Sequence, residues 1–218
     1  MKKLKILIGC EYSGVLRTEF EKLGHDAISC DILDTEIEGK HHKGDLLEFM
    51  KDKQFDMMVA FPPCTHLTYA AMSSWYKPGR ALLRIEAAKF FMQIYESDIK
   101  HIAIENPQGI MSKIFRSPDQ EIHPYFFGDR EMKRTQLWLK NLPKLKYSLS
   151  DTLFEQKTAT ETPKPNYSRI NKKTGKLKHR YFTDTIIDNR FKTGKEKSKT
   201  FQGIAKAMAE QWSGYILS

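Results

Sequence analysis

An α/β fold with a mostly parallel sheet and helices on both faces is what this 218-residue chain predicts. Two of the observations behind it are alike. Residues 57–61 (MMVAF) form a short apolar run stopped at once by Pro62 and Pro63. Residues 101–104 (HIAI) form another, running into Glu105, Asn106 and Pro107. Short apolar runs bounded by proline fit buried strands, because proline lacks the N–H that a ladder needs. The third observation is the order of the first 31 residues: strand, glycine-bearing turn, helix, strand, acid. That order builds a nucleotide-binding α/β half, in which glycines let backbone approach a ligand and the acid meets ribose hydroxyls.

Size and charge set the bounds. The length suits one domain with a full core. No apolar run approaches a membrane span, and the lysine-led N-terminus breaks at residues 9–11, too soon for a signal peptide. Cys10, Cys30 and Cys64 have no metal-ligand spacing and no disulfide framework, which fits a reducing, cytoplasmic setting. The net charge of +9 is concentrated: residues 140–199 hold 16 Lys and Arg against 6 Asp and Glu. The remainder is close to neutral. A local excess of this kind points to a polyanion contact, against the plainer alternative of a solvated loop.

Taken in order, residues 5–9 read as the first strand and GCEYSG as the turn. Residues 15–23 have helical spacing in Val15, Leu16, Phe20 and Leu23, closed by Gly24. Residues 27–30 make the second strand, closed by Asp31. Asp45 precedes a short helix over 46–50 and is either its N-cap or a ligand contact. Cys64 leaves the central apolar strand on a turn, where the crevice beyond the carboxyl ends of an α/β sheet binds ligands. A free cysteine that merely packs is the competing explanation. Residues 65–80, rich in aromatic and small residues, are either a mobile lid or an ordered loop. Residues 81–95 read as an amphipathic helix with Leu82, Leu83, Ala87, Phe90, Phe91 and Ile94 apolar. Residues 109–132 show no periodicity, and residues 136–139 are a further strand. Residues 148–198 are polar and lysine-rich, with a hairpin turning at Thr174 and Gly175 as one reading and a partly disordered loop as the other. Residues 201–217 return to helix. The domain reading is therefore one α/β domain of residues 1–147 and 199–218 with a basic insert of residues 148–198.

Together these residues resemble the cytosine carbon-5 DNA methyltransferases, in the short form found in phages and prophages. The resemblance covers most of the chain outside the insert. It implies a Rossmann-like S-adenosylmethionine-dependent methyltransferase fold. GCEYSG followed by Asp31 is similar to the family's cofactor loop and ribose acid, and implies cofactor contacts at Gly9, Glu11, Ser13, Gly14, Asp31 and Ile32. Asp45 is similar to the acid that meets the adenine. FPPCT is similar to the Pro-Cys nucleophile motif, which implies Cys64 as nucleophile with Pro63 beside it and Pro62 toward the cofactor. IENP is similar to the Glu-Asn motif, which implies catalytic roles for Glu105 and Asn106. FQGIAKAMAEQW, with Gly203, looks like the closing motif that returns to the cofactor. EMKRTQLW stands roughly where the family has paired arginines and offers Lys133 and Arg134. With Arg80 these are the candidate cations at the base, and Lys172, Lys173, Lys176 and Lys178 are the candidate phosphate contacts.

The chemistry calls for these residue types. Carbon 5 of cytosine is too weak a nucleophile to attack a methyl sulfonium directly. A thiolate adding at carbon 6 makes it enamine-like and divides one hard step in two. A free thiol is only a few per cent ionised near neutrality, so a neighbouring cation helps. Methylation of an exocyclic amine is rejected: its motif needs Asp or Asn where Phe61 stands and an aromatic where Cys64 stands. The same cysteine chemistry on RNA or a free nucleotide remains a rival, as does an idle nucleic-acid-binding or cofactor-binding module. The expected partner is DNA, duplex or single-stranded, with no membrane, no metal and a monomeric chain.

Overall fold

The computed structural model describes residues 2–129, 133–147, 167–170, 174–180 and 200–218, with backbone alone at 167–169 and 178–180. Its first half runs β1 (Lys5–Gly9), α1 (Val15–Lys22), β2 (Asp26–Asp31), β3 (His41–Lys43), α2 (Leu46–Met50), β4 (Met57–Ala60) and α3 (Arg80–Glu96). There follow β5 (His101–Pro107), α4 (Met111–Ile114), β6 (Gln120–Ile122), β7 (Thr135–Lys140), the strands β8 (Tyr167–Ile170) and β9 (Leu177–Arg180), and α5 (Gln202–Leu217).

Seven strands form one sheet in the order β3-β2-β1-β4-β5-β7-β6. The first five are mutually parallel, and β7 runs antiparallel to both β5 and β6. This is the mostly parallel Rossmann-like arrangement. The chain begins at β1, builds outward to β3, then returns to the other side of β1 as β4. The strand order therefore reverses between β1 and β4, and a ligand crevice opens at such a switch point.

Both faces of the sheet are buried, which is why its strands read as unbroken apolar runs. Ile6, Ile8, Met57, Val59, Ala103, Leu137 and Leu139 pack with Leu16 and Phe20 of α1 and Ile204, Met208 and Trp212 of α5. The alternate residues Leu7, Met58, Ala60, Ile102, Ile104 and Trp138 pack with Leu46 and Phe49 of α2 and Ala88, Phe91 and Ile94 of α3.

Several elements depart from the sequence expectation. Strand β5 does not stop at Ile104 but carries Glu105, Asn106 and Pro107 within its ladder, because β7 pairs with them from the other side. In α3 only Ala88, Phe91 and Ile94 are buried; Leu82, Leu83 and Ile85 are 67%, 41% and 52% exposed. The apolar residues of its first two turns thus do not join the core. The stretch after Cys64 is an ordered loop containing a 3-10 turn, Tyr69–Ser74. The region without periodicity holds α4, β6 and a second 3-10 turn, Pro124–Phe127. Strands β8 and β9 pair antiparallel with Ile170 opposite Leu177, consistent with the hairpin reading, and Gly175 has φ 66°. Lys172 and Lys173 lie outside the described residues. No helix among the described residues is long and apolar enough to cross a membrane.

Candidate active site at the sheet switch point

Strands β4 and β5 lie side by side and parallel, with Ala60 opposite Ile104. The chain therefore leaves both strands at the same edge of the sheet. The turn after β4 is Phe61, Pro62, Pro63 and Cys64, and it is held by the neighbouring strand: Asn106 Nδ2 donates to the Pro62 carbonyl at 2.8 Å. Pro62 and Asn106 are buried, Pro63 is exposed, and Cys64 is partly exposed. Past the cysteine, the Cys64 carbonyl accepts the N–H groups of Leu67 and Thr68, both at 2.9 Å. The loop is then sewn to the segment after β5 through Ile110 N to the Leu67 carbonyl at 2.8 Å. Gly109 makes that approach possible, since a Cβ there would lie 2.2 Å from the Leu67 oxygen.

The Glu105 carboxylate acts electrostatically on Cys64. Burial pushes the Cys64 thiol up, the Glu105 carboxylate pushes it further, and Lys133 opposes both. Burial likewise raises the Glu105 carboxyl, against Lys133 and a hydrogen bond from the Thr135 side chain. Lys133 is thus the one of the three candidate cations that acts on both groups. It enters from the start of β7, and its Nζ lies 5.9 Å from the centre of the Phe201 ring, just before α5. The other two are otherwise engaged. Arg134 pairs with Glu121 at 3.1 Å and bonds Gln108 Oε1 at 3.3 Å. Arg80 is 3.2 Å from His66 Nδ1, on the loop after Cys64.

The turn after β1 and the end of β2 form the second half of the crevice. Cys10 takes φ 56°, the left-handed conformation that turns the chain sharply out of β1. Glu11 is 4% exposed; Ser13 Oγ donates to its Oε1, and its Oε2 has no hydrogen-bond partner. Burial raises this carboxyl, and Ser13 with the N–H groups of Leu16 and Val15 opposes the rise. An acid therefore occupies the N-terminus of α1, where a dinucleotide cofactor would place its pyrophosphate. That disfavours a phosphate and suits a nucleoside carrying positive charge.

Asp31 closes β2, its Oδ1 accepting the N–H of Leu33 at 2.9 Å, and Ile32 beside it is 73% exposed. Burial and then the Asp31 carboxylate push the Cys10 thiol far above its ordinary range, with Cys30 and Asp45 adding to the rise. Cys30 rises to about 11 through burial first, then Asp31 and Asp45. Asp31 and Asp45 thus both act on Cys10 and on Cys30. A carboxylate, an exposed apolar side chain and a second acid are a donor set that fits ribose hydroxyls and an adenine.

Asp45 is the N-cap of α2, accepting the Glu48 N–H at 3.1 Å, so the sequence rule for caps accounts for it without a ligand. Three glycines have internal reasons as well. A Cβ on Gly9 would meet Leu46 Cδ2 at 2.6 Å, one on Gly14 would meet Arg17 Nη2 at 2.8 Å, and one on Gly203 would meet the Phe127 oxygen at 2.2 Å. The Gly203 N–H donates to Asp129 Oδ2 at 2.9 Å. Lys176 is exposed beside β9, and Lys178 lies within that strand. Thr135 and Arg17 were not singled out by the sequence. Thr135 reaches Glu105 only because β7 is antiparallel, which no local pattern signals.

Fold and site define an open α/β protein that carries Cys64 and Glu105 at the ends of two adjacent parallel strands and Glu11, Asp31 and Asp45 on the neighbouring turns. No protein-family model and no curated protein matches the chain. Among solved structures it is similar to the methyltransferase EhMeth of Entamoeba histolytica, with a TM-score of 0.46 and 18% identity, over 74% of this chain and 58% of that one. It is also similar to a DNMT2 variant of Spodoptera frugiperda, with a TM-score of 0.41 and 13% identity, over 75% of this chain and 58% of that one. The chain thus spans less than two thirds of the length of either.

Proposed function

We propose that the chain transfers a methyl group from S-adenosylmethionine to carbon 5 of cytosine in DNA, through a covalent adduct with Cys64. The observation that carries this reading is the meeting of Cys64, Glu105 and Lys133 at the carboxyl ends of β4 and β5. S-adenosylmethionine, when bound, supplies an electrophilic methyl group. Asp31 would hold its ribose, Ile32 and Asp45 its adenine, and Glu11 would offer a negative charge to its cationic part.

The rest of the chemistry falls to this chain's own side chains. The Cys64 thiolate forms a bond to carbon 6, and the displaced electron pair makes carbon 5 nucleophilic. Charge develops meanwhile at the ring nitrogen. Glu105, whose burial keeps its proton to higher pH than an exposed carboxyl, donates there. Lys133 favours the thiolate that starts the sequence. Once carbon 5 is methylated its proton passes to solvent water, the ring nitrogen returns its proton to Glu105, the electron pair restores the 5,6 double bond, and Cys64 leaves as thiolate. Asn106 takes no proton in this scheme; it holds the turn through Pro62. The target base must leave its stack, at a cost of a few kcal/mol in a duplex.

The basic segment supports a nucleic-acid substrate. In the β8–β9 pair, register sets Arg169 opposite Lys178. Residues 140–199 hold 16 Lys and Arg against 6 Asp and Glu, a surplus that suits a phosphate backbone. Labelled S-adenosylmethionine offered with duplex DNA, single-stranded DNA and RNA tests the reading, with digestion to locate the label. Label on cytosine carbon 5 of DNA supports it, label in RNA alone moves the substrate class, and no transfer to any of the three overturns it.

A further inference from the structure

Arg17 is a charged residue of α1, yet its side chain is wholly buried. Its guanidinium binds the loop between β2 and β3 from inside. Nη2 donates to the carbonyls of Ile37 at 2.5 Å and Glu38 at 3.1 Å. Nη1 donates to Ser29 Oγ at 2.9 Å, Thr35 Oγ1 at 3.3 Å and the Lys40 carbonyl at 3.4 Å. Gly14 and Gly39 leave the room: a Cβ on either would lie within 2.8 Å of the guanidinium.

The network continues in one direction. Ser29 Oγ is 2.8 Å from His41 Nδ1, and His41 Nε2 is 2.9 Å from the Leu33 carbonyl. A carbonyl only accepts, so Nε2 carries the proton. In the neutral ring Nδ1 then accepts from the Ser29 hydroxyl, whose oxygen takes the Arg17 N–H. The Glu36 N–H adds a bond to the Tyr12 carbonyl at 2.9 Å, tying the same loop to the turn after β1. Residues 33–40 are therefore fixed at several points to α1, β2 and β3, immediately after Asp31 and Ile32.

We propose that Arg17, acting through Ser29 and His41, is the positioning residue of the cofactor crevice: it holds the β2–β3 loop in the shape that sets Asp31 and Ile32 against the ligand. The proposal rests on reading that crevice as an S-adenosylmethionine site. A buried arginine used only to stabilise the fold would have little reason to direct most of its hydrogen bonds to residues 35–40, which contribute no large side chain to either core cluster. Lysine cannot replace it, because an ammonium is a compact charge without the planar fork that spans separated acceptors.

The test measures S-adenosylmethionine affinity by calorimetry in the wild type, Arg17→Lys, Ser29→Ala and Phe91→Leu, each well below its own melting temperature. Phe91 is a buried residue of α3, on the face of the sheet opposite α1, and Phe91→Leu serves as a variant that loses stability without touching the loop. The expected result is a Kd raised about tenfold or more in Arg17→Lys and Ser29→Ala and unchanged in Phe91→Leu. Amide exchange of residues 33–40 should accelerate in the first two variants alone. Ser29→Ala decides the matter if Arg17→Lys does not fold. Wild-type affinity in both Arg17→Lys and Ser29→Ala overturns the positioning role and leaves the cofactor reading standing. No binding by the wild type overturns both.

Discussion

Asn106 Nδ2 donates to the Pro62 carbonyl at 2.8 Å, so the end of β5 holds the turn that presents Cys64. Proline makes this bond informative. The turn's prolines have no N–H to give, and so the turn is fixed through the carbonyl that remains. Asn106→Ala should cost about 1–3 kcal/mol in urea denaturation, the usual loss when a buried polar partner is removed. It should also reduce adduct formation with a 5-fluorocytosine substrate, while S-adenosylmethionine affinity, set at β1 and β2, stays as it was. An undiminished adduct would mean the turn holds its shape without the asparagine.

The Cys64 thiol should titrate in opposite directions when its two charged neighbours are removed. Burial sets the thiol high; Glu105 raises it further and Lys133 lowers it. Lys133→Met therefore moves the pH midpoint of iodoacetamide alkylation upward, and Glu105→Gln moves it downward. Mass spectrometry separates label on Cys64 from label on Cys10 and Cys30, whose thiols are also raised, Cys30 to about 11. Shifts of the same sign in both variants would show that Cys64 responds to some other group.

How much of this was legible beforehand differs from residue to residue. The proline-bounded runs and the order from GCEYSG to Asp31 are local signals, and the structure folds them into a parallel sheet whose strand order reverses between β1 and β4. Strand β3, His-His-Lys, has no apolar residue and is held by pairing to Ser29, Cys30 and Asp31, so nothing in its own composition marks it. Lys133 could not be ranked above Arg134 or Arg80, because its place depends on the reversed strand β7. Arg17 was invisible for a related reason: its acceptors are mostly backbone carbonyls, which every residue carries. Leu82 and Leu83 misled in the opposite sense, since a helical apolar spacing says nothing of whether a partner covers the face.

Acid stability gives a test of the sheet's reversed edge. Burial alone would raise the Asp119 carboxyl. The Arg116 guanidinium at 2.7 Å and the Leu139 N–H at 2.7 Å outweigh that and hold it below the ordinary range. A carboxyl with a lowered folded pKa stabilises the protein above its unfolded value, near ~3.9, and that contribution is lost as pH falls through the folded value. Asp119→Asn should therefore be less stable than the wild type at neutral pH, and the difference should shrink on acidification below about pH 4. A gap that stays constant down to the acid limit would show that the carboxylate's charge contributes nothing.

The acid at the head of α1 should make the crevice selective against phosphates. Glu11 sits where a helix N-terminus would otherwise receive an anion. Nicotinamide and flavin dinucleotides are expected not to compete with S-adenosylmethionine in calorimetry, and Glu11→Gln should weaken binding of the cationic cofactor more than of its neutral thioether product. Equal losses for the two would mean that Glu11 only shapes the turn.

The basic segment can be separated from a merely solvated loop by salt. Residues 140–199 carry a local +10 in a chain otherwise near neutrality. Each duplex phosphate contact adds about −0.9 to the slope of log affinity against log salt. Replacing Lys172, Lys173, Lys176 and Lys178 by Ala should flatten that slope, by about one unit for each lysine that meets a phosphate. Affinity should fall alike for all sequences, because phosphate contacts position a protein without reading bases. Preference for a sequence would then have to come from elsewhere, and the loop after Cys64 is placed for it. No acid occurs between Asp56 and Glu86, while Lys77, Arg80 and Arg84 do, and Tyr76 is 93% exposed. Tyr76→Ala should therefore change which cytosines are used while leaving the salt slope alone. A fourfold lysine variant with the wild-type slope would show that the segment does not grip the phosphate backbone.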